Sequence, residues 1–448
     1  MVTMQYIKMK DSGVAWIGEI PNHWKTLRLK FASWLKGRIG WQGLKSDEYT
    51  DEGAYLITGT DFDKGRINWD TCAHITVERF NEDSDIHIQE GDLLITKDGT
   101  IGKVAIARDC PAMVSLNSGV MLIRNIRKQK YHDKYLYYIL NSNQFLKWYE
   151  LSQNGASTIK HLYQEQFYNF RFSYPPLPEQ EAIAAYLDEK CAVIDDIIAE
   201  AKASIEEYKA WKASVIFEAV TKGLDPNAEM KDSGVEWIGE VPEDWKICKT
   251  LFGLSMPITD GPHTTPDLYD TGIPFISAEA VSSGNGKIDF SHMRGYISED
   301  FYQECCQKYI PQKNDIYMIK SGATTGRVAI VDTDQRFTIW SPLAVFRANL
   351  KRLVPKYLFY YLQSPAYLGQ VEIEWSYGTQ QNIGMRVLEQ LKICLPPLGE
   401  QAAIAAYLDE KCAAIDGVIA EKESLIAELE TYKKSLIFET VTGKRRVC

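Results

Sequence analysis

Residues 179–191 read EQEAIAAYLDEKC, and residues 400–412 read EQAAIAAYLDEKC. One position in thirteen differs, at a fixed offset of 221 residues. The same offset relates residues 9–19 (MKDSGVAWIGE) to residues 230–240 (MKDSGVEWIGE). A repeat of this period is too long for a solenoid turn, so each copy holds a domain together with a helix. The order along the chain is globule, long helix, globule, long helix.

The repeated stretch is helical because of what surrounds it and what it lacks. Pro175, Pro176 and Pro178 disfavour helix upstream, and a proline is tolerated in a helix's first turn. From Glu179 no proline or glycine follows until Gly223, a natural stop. Leu187, Ile194, Ala201, Tyr208 and Val215 fall seven apart, and Cys191, Ile198, Ile205, Lys212 and Ala219 form a second row offset by four. That is an a/d seam of about five heptads, the pattern that winds helices on one another. The second copy repeats it with Leu408, Ile415, Lys422, Leu429 and Leu436 beside Cys412, Ile419, Ile426, Lys433 and Thr440. Two such helices in one chain most simply pack together, and connectivity makes the pair antiparallel. Each, about 40 residues long, spans roughly 60 Å. A seam between two copies of the chain is the alternative.

The 448 residues suffice for two cores of roughly 170 residues. Hydrophobic content of 45% and charged content of 25% are those of a globular protein. No apolar run is long enough to span a bilayer, the start of the chain shows no signal-type apolar segment, and the nine cysteines lack zinc spacing. The expectation is a reduced, cytoplasmic protein without metal. The net charge of −10 argues against a nucleic-acid partner until it is located: residues 179–209 and 400–430 each carry −6, leaving the rest near +2. The acidity sits in the helices, and the globules are free to carry basic faces.

Both globules are expected to be α+β. In the first, residues 55–59, 74–77, 92–96, 103–107 and 120–126 have strand character, and the aromatic stripe of residues 131–149 reads as core. The tryptophan-bearing segments 16–25 and 237–246 read as clasps between globule and helix ends. The most informative loop is GDLLITKDGTIGKVAIA (residues 91–107), two apolar strands around a tip holding Lys97, Thr100 and Lys103. Its counterpart is NDIYMIKSGATTGRVAIV (residues 314–331), with Lys320, Thr324 and Arg327. Such tips bring backbone N–H groups, hydroxyls and cations to phosphates or base edges, although a solvated hairpin has the same composition. Two further polar loops, NGASTIKH (residues 154–161, with Lys160) and YGTQQNI (residues 377–383, with Gln380 and Gln381), suit groove contacts. Helices and clasps nearly coincide between the copies while the loops differ, which suggests two related modules reading two different things.

The doubled DSGVxWIGExPxxW, the doubled PPLxEQxAIAAYLDEKC leading into heptads, and the two hairpin segments together resemble the specificity subunit of a type I restriction–modification system, across essentially the whole chain. The resemblance implies two pseudo-symmetric mixed α/β target-recognition globules (residues 1–174 and 224–395), separated by two long antiparallel coiled-coil helices (residues 175–223 and 396–448). Leu187, Ile194, Ile198, Ile205, Leu408, Ile415, Ile419 and Ile426 are the expected seam. Each globule would bind one half of a split DNA sequence, and the helices would set the unread spacer and dock two adenine-N6 methyltransferase subunits, with restriction subunits joining for phage defence. Lys97, Thr100, Lys103, Lys160, Lys320, Thr324 and Arg327 are the candidate DNA contacts, with Gln380 and Gln381 as adenine readers.

The residues agree with a non-catalytic role. The chain has no [DN]PP[YF] element, no glycine-rich turn suited to S-adenosylmethionine and no GxxxxGK[ST] phosphate loop. S-adenosylmethionine, ATP and Mg are expected on partner subunits only. Two other classes compete: a non-DNA-binding protein–protein scaffold, and a self-contained enzyme, for which no cofactor site is found.

Overall fold

The computed structural model describes residues 8–38, 44–127, 130–153, 161–374, 376–377 and 381–447. The chain forms two compact units, one of Met1–Ala201 with Ser424–Cys448 and one of Lys202–Glu423. Each therefore contains a globule, part of one long helix and part of the other.

In the first unit an antiparallel sheet runs Val104–Ile106, Leu93–Thr96, Val120–Asn125, Ser33–Gly37. A three-stranded sheet places Val114–Leu116 parallel to Ala54–Ile57, which pairs antiparallel with Ala73–Ile75. Every side chain of Leu93–Thr96 is buried, because alternate residues serve different cores. Leu93 and Ile95 join the cluster containing Tyr135, Leu136 and Phe145. Leu94 joins the one containing Ile57 and Leu116. The aromatic stripe is core, as its spacing indicates, but it forms two helices, Asp133–Leu140 and Asn143–Ser152. Ser142 divides them by accepting a hydrogen bond from the Gln144 amide.

The second unit repeats this plan. Its four-stranded sheet runs Thr259–Asp260, Leu343–Phe346, Ile316–Ile319, Val328–Ile330. Its three-stranded sheet again has one parallel pair, Ile273–Ile276 with Thr338–Ile339. Helices Pro355–Gln363 and Pro365–Ile373 occupy the places of the first unit's helix pair.

The long helices are Leu177–Lys222 and Leu398–Val441. Gly223 and Gly443 follow them with φ of +77° and +72°, the left-handed conformation that ends a helix. A Cβ on Gly223 would also lie 3.2 Å from the Trp245 ring, so both backbone and space call for glycine there. The clasp expected from the doubled tryptophan segments is present. Trp24 Nε1 donates to Glu179 Oε2 at 2.8 Å, and Trp245 Nε1 to Glu400 Oε2 at 3.1 Å, tying each globule's first turns to the start of its own helix.

Within each unit the two helix segments run antiparallel. In the first, Asp195 pairs with Lys433 at 2.6 Å, while Tyr186, earlier on the first helix, lies by Arg445 beyond the end of the second. In the second, Lys212 pairs with Asp416 at 2.6 Å and Tyr208 receives Lys422 over its ring. The seam lysines 212 and 433 thus meet partner-helix carboxylates instead of water. Leu187, Ile194, Ile198, Ile205, Leu408 and Ile415 are buried, and Ile419 and Ile426 are half-buried. Toward the end of the first helix the buried stripe moves by one residue, onto Ile216 and Val220. A 3.6-residue helix drifts in this way from a strict heptad.

Candidate nucleic-acid interface

The hairpin of the first unit joins Leu93–Thr96 to Val104–Ile106, with Ile95 opposite Val104. Gly99 and Gly102 turn the chain with φ of +65° and +88°. A Cβ on Gly102 would come within 2.9 Å of the Phe145 ring, so the turn closes directly over the core. Thr96 Oγ1 braces it, donating to the Thr100 carbonyl at 2.5 Å and accepting from the Lys103 amide at 3.0 Å. Thr100 and Lys103 are exposed at the tip.

Lys97 behaves differently from the tip residue its position suggests. Its backbone pairs with Gly119 O and Leu162 N, and its side chain folds inward to 9% exposure. The ammonium donates to the Arg38 carbonyl at 3.3 Å and forms no ion pair among the described residues. Burial lowers its pKa, with the charge of Asp98 opposing. Asp98 itself contacts His161 Nδ1. Arg38 is also buried, donating to Leu116 O and Ser115 Oγ, and burial lowers its pKa too.

The second hairpin has the same frame. Lys320 pairs through its backbone with Pro342 O and Ile383 N, and Gly322 and Gly326 have φ of +103° and +91°. Thr325 Oγ1 donates to Gly322 O at 2.7 Å. Thr324 is half-buried, and Arg327 is exposed with Nη1 on Ser282 O at 3.1 Å. The Lys320 ammonium lies 3.3 Å from Oδ2 of Asp260, whose Oδ1 receives Lys308 at 2.5 Å. His263 Nε2, well exposed, is 3.3 Å from the same Oδ2. Burial pulls the Asp260 pKa upward, and the two lysines more than reverse this, holding the carboxyl below its usual range.

The structure thus gathers Lys97, Thr100 and Lys103 on one hairpin and Lys320, Thr324 and Arg327 on the other. Gln381 lies in the short strand Gln381–Asn382, whose Asn382 bridges to Ser321. Lys160 and Gln380, and the Gln381 side chain, lie outside the described residues.

Sequence reasoning passed over the charges that brace these hairpins from behind. Arg124 forms a two-pronged ion pair with Asp92, and Arg347 with Asp315. The signal was present: an arginine follows the aspartate of GDLL and of NDIY by 32 residues in both copies. Arg38 and Asp260 left no such mark, since their neighbours are set only once the sheets form.

A family model described as Type I restriction modification DNA specificity domain matches residues 41–207 and 261–430. The chain belongs to that family: it is a DNA-specificity component of a type I restriction–modification system and a non-catalytic one. It is 26% identical to the type I restriction enzyme MjaVIII specificity subunit of Methanocaldococcus jannaschii, over 100% of this chain and 99% of that one. To the EcoBI specificity subunit of Escherichia coli it is 25% identical, over 79% of this chain and 73% of the relative. A chain solved in work on complex assembly and conformational transition of the type I R-M system has the same fold, with a TM-score of 0.68 at 18% identity, covering 94% of this chain and 98% of that one.

Proposed function

We propose that this chain recognises a bipartite, asymmetric duplex DNA target, one half-site per globule, and docks two adenine-N6 methyltransferase subunits on its long helices. The observation that carries the reading is the duplication itself. Two globules share one scaffold down to strand register and glycine positions, while the side chains on the hairpins differ (Thr100 and Lys103 against Thr324 and Arg327). A scaffold kept constant under changed tips is what two readers of different sequences require. The exposed tip cations would meet phosphates and base edges, and Gln380 and Gln381 would read adenine.

Aromatic groups left in solvent on the helices suit docking. Trp211 is 53% exposed in the second unit, and Tyr432 is 48% exposed in the first. Among the described residues no group of His, Cys, Asp and Glu could hold a metal, and no helix is long and apolar enough to cross a membrane. In this reading S-adenosylmethionine, ATP and Mg belong to the methyltransferase and restriction subunits, and the complex is cytoplasmic. The specificity chain places the methyltransferase pocket where a base is flipped out.

The test is methylome sequencing of cells expressing this chain with its methyltransferase subunit, against cells lacking only this chain. N6-methyladenine in one split, asymmetric motif is expected. Absence of any motif while both proteins are expressed and associate would leave the protein–protein scaffold as the better account.

A further inference from the structure

The two four-stranded sheets can be superimposed by register alone. Val120 and Met121 pair with Thr96 and Ile95, as Leu343 and Ala344 pair with Ile319 and Met318. On the next strand, Met121 faces Gly37 and Ala344 faces Asp260. Lys97 and Lys320 therefore occupy one structural position, and Gly37 and Asp260 another beside it. In the second globule Lys320 has a counter-charge, its Nζ lying 3.3 Å from a carboxylate that is 1% exposed and that it shares with Lys308. In the first globule the facing residue has no side chain. A Cβ built on Gly37 would lie 3.3 Å from Lys97 Nζ and 3.2 Å from Val120 O, so the ammonium rests against the bare backbone of Gly37, which is itself half-exposed, where the second globule carries the Asp260 side chain.

Every Asp and Glu of the chain is among the described residues, and none pairs with Lys97 or Arg38. The first globule thus holds two buried cations with no carboxylate in direct contact; Asp98 acts on Lys97, and Asp83, Glu82 and Glu48 act on Arg38, only from a distance. A buried ion in that state is costly, and an arriving anion relieves the cost. We propose that Lys97, reached over Gly37, is a binding point for one non-bridging oxygen of a DNA backbone phosphate, and that in the second globule Asp260 fills the equivalent point permanently. The phosphodiester fits better than a base edge, because a point-charge ammonium with spare donors calls for a full negative charge. The two globules then hold DNA unequally: the first uses its buried lysine, and the second only its exposed groups. This rests on the DNA-recognition reading above.

The experiment measures affinity of the full chain for a duplex carrying its target and for an unrelated duplex, across a salt series. Lys97→Met and Gly37→Asp should each weaken binding to both duplexes by roughly tenfold or more. Each should also lower the slope of log affinity against log salt by about one. Gly37→Asn, of similar size without charge, should weaken binding less than Gly37→Asp does. Wild-type slopes in both Lys97→Met and Gly37→Asp would overturn the proposal, as would a loss confined to one base pair of the target. A second measurement stands apart from DNA: inorganic phosphate should raise the wild-type melting temperature beyond an equal ionic strength of chloride, and Gly37→Asp should abolish the gain while still melting cooperatively. If wild type shows no salt-dependent affinity for any duplex, the DNA reading falls and the phosphate shift alone decides the anion site. No shift there overturns the site as well.

Discussion

Replacing Arg347 by methionine removes both prongs of a buried ion pair, 2.7 Å from Nε to Asp315 Oδ1 and 2.7 Å from Nη2 to Oδ2. It also removes the Nη2 bond to Ile310 O. Asp315 is 1% exposed, so the abandoned carboxylate cannot recover its losses from water. Breaking one side of such a pair costs about 3–5 kcal/mol. Asp315 keeps two donors, the Tyr309 hydroxyl and the Gln312 amide, which places the cost near the lower end. Arg124→Met in the first unit leaves Asp92 with one retained donor, the Gln89 amide, and should cost more. Native-state hydrogen exchange separates the two, because each arginine braces its own sheet. Opening of Ile316–Ile319 should rise roughly 100-fold or more in Arg347→Met while Leu93–Thr96 is unchanged, and the reverse in Arg124→Met. Adding Asp315→Asn to Arg347→Met should restore at least about 1 kcal/mol, since the unpaired charge is gone. A single-variant cost below about 1 kcal/mol, or a double variant no better than the single, would refute the reasoning.

Three further outcomes are expected. Asp260 has a folded pKa below its unfolded value, so its contribution is complete above about pH 4 and is lost as pH falls through the folded value. Between those limits Asp260→Asn should show a flatter pH dependence of second-unit exchange than wild type, and parallel curves would refute the pairing with Lys308 and Lys320. Trp245→Phe keeps an aromatic ring but removes the N–H donated to Glu400 and leaves part of the buried indole's space empty, at about 3 kcal/mol or more, seen as faster exchange at the start of helix Leu398–Val441. Burial pushes the Cys191 and Cys412 thiols up to about 11, so iodoacetamide at pH 8 should label them only after denaturation, as mass spectrometry of the two peptides would show.

The sequence by itself determined the layout. The 221-residue repeat announces two globules and two helices, and the heptad rows with their flanking prolines and glycines locate those helices to within a few residues. The Tyr135, Tyr138, Phe145 and Trp148 stripe is legible as core for the same reason: helix periodicity is local, and burial follows it. The exposed half of each candidate site was legible too, since glycines at a hairpin tip push Thr100, Lys103 and Arg327 outward.

What only the tertiary structure decided are relations between distant strands. Nothing near Lys97 in sequence says that its ammonium turns inward toward Arg38, because that follows from how Ser33–Gly37 seats against Val120–Asn125. Nothing near Lys320 announces Asp260, sixty residues earlier, as its counter-charge. Strand order and register depend on which faces fit together, not on the period of any one strand. A charge at the end of a strand is paired, buried or open according to the neighbour that register delivers. In this chain that neighbour is a glycine in one globule and an aspartate in the other.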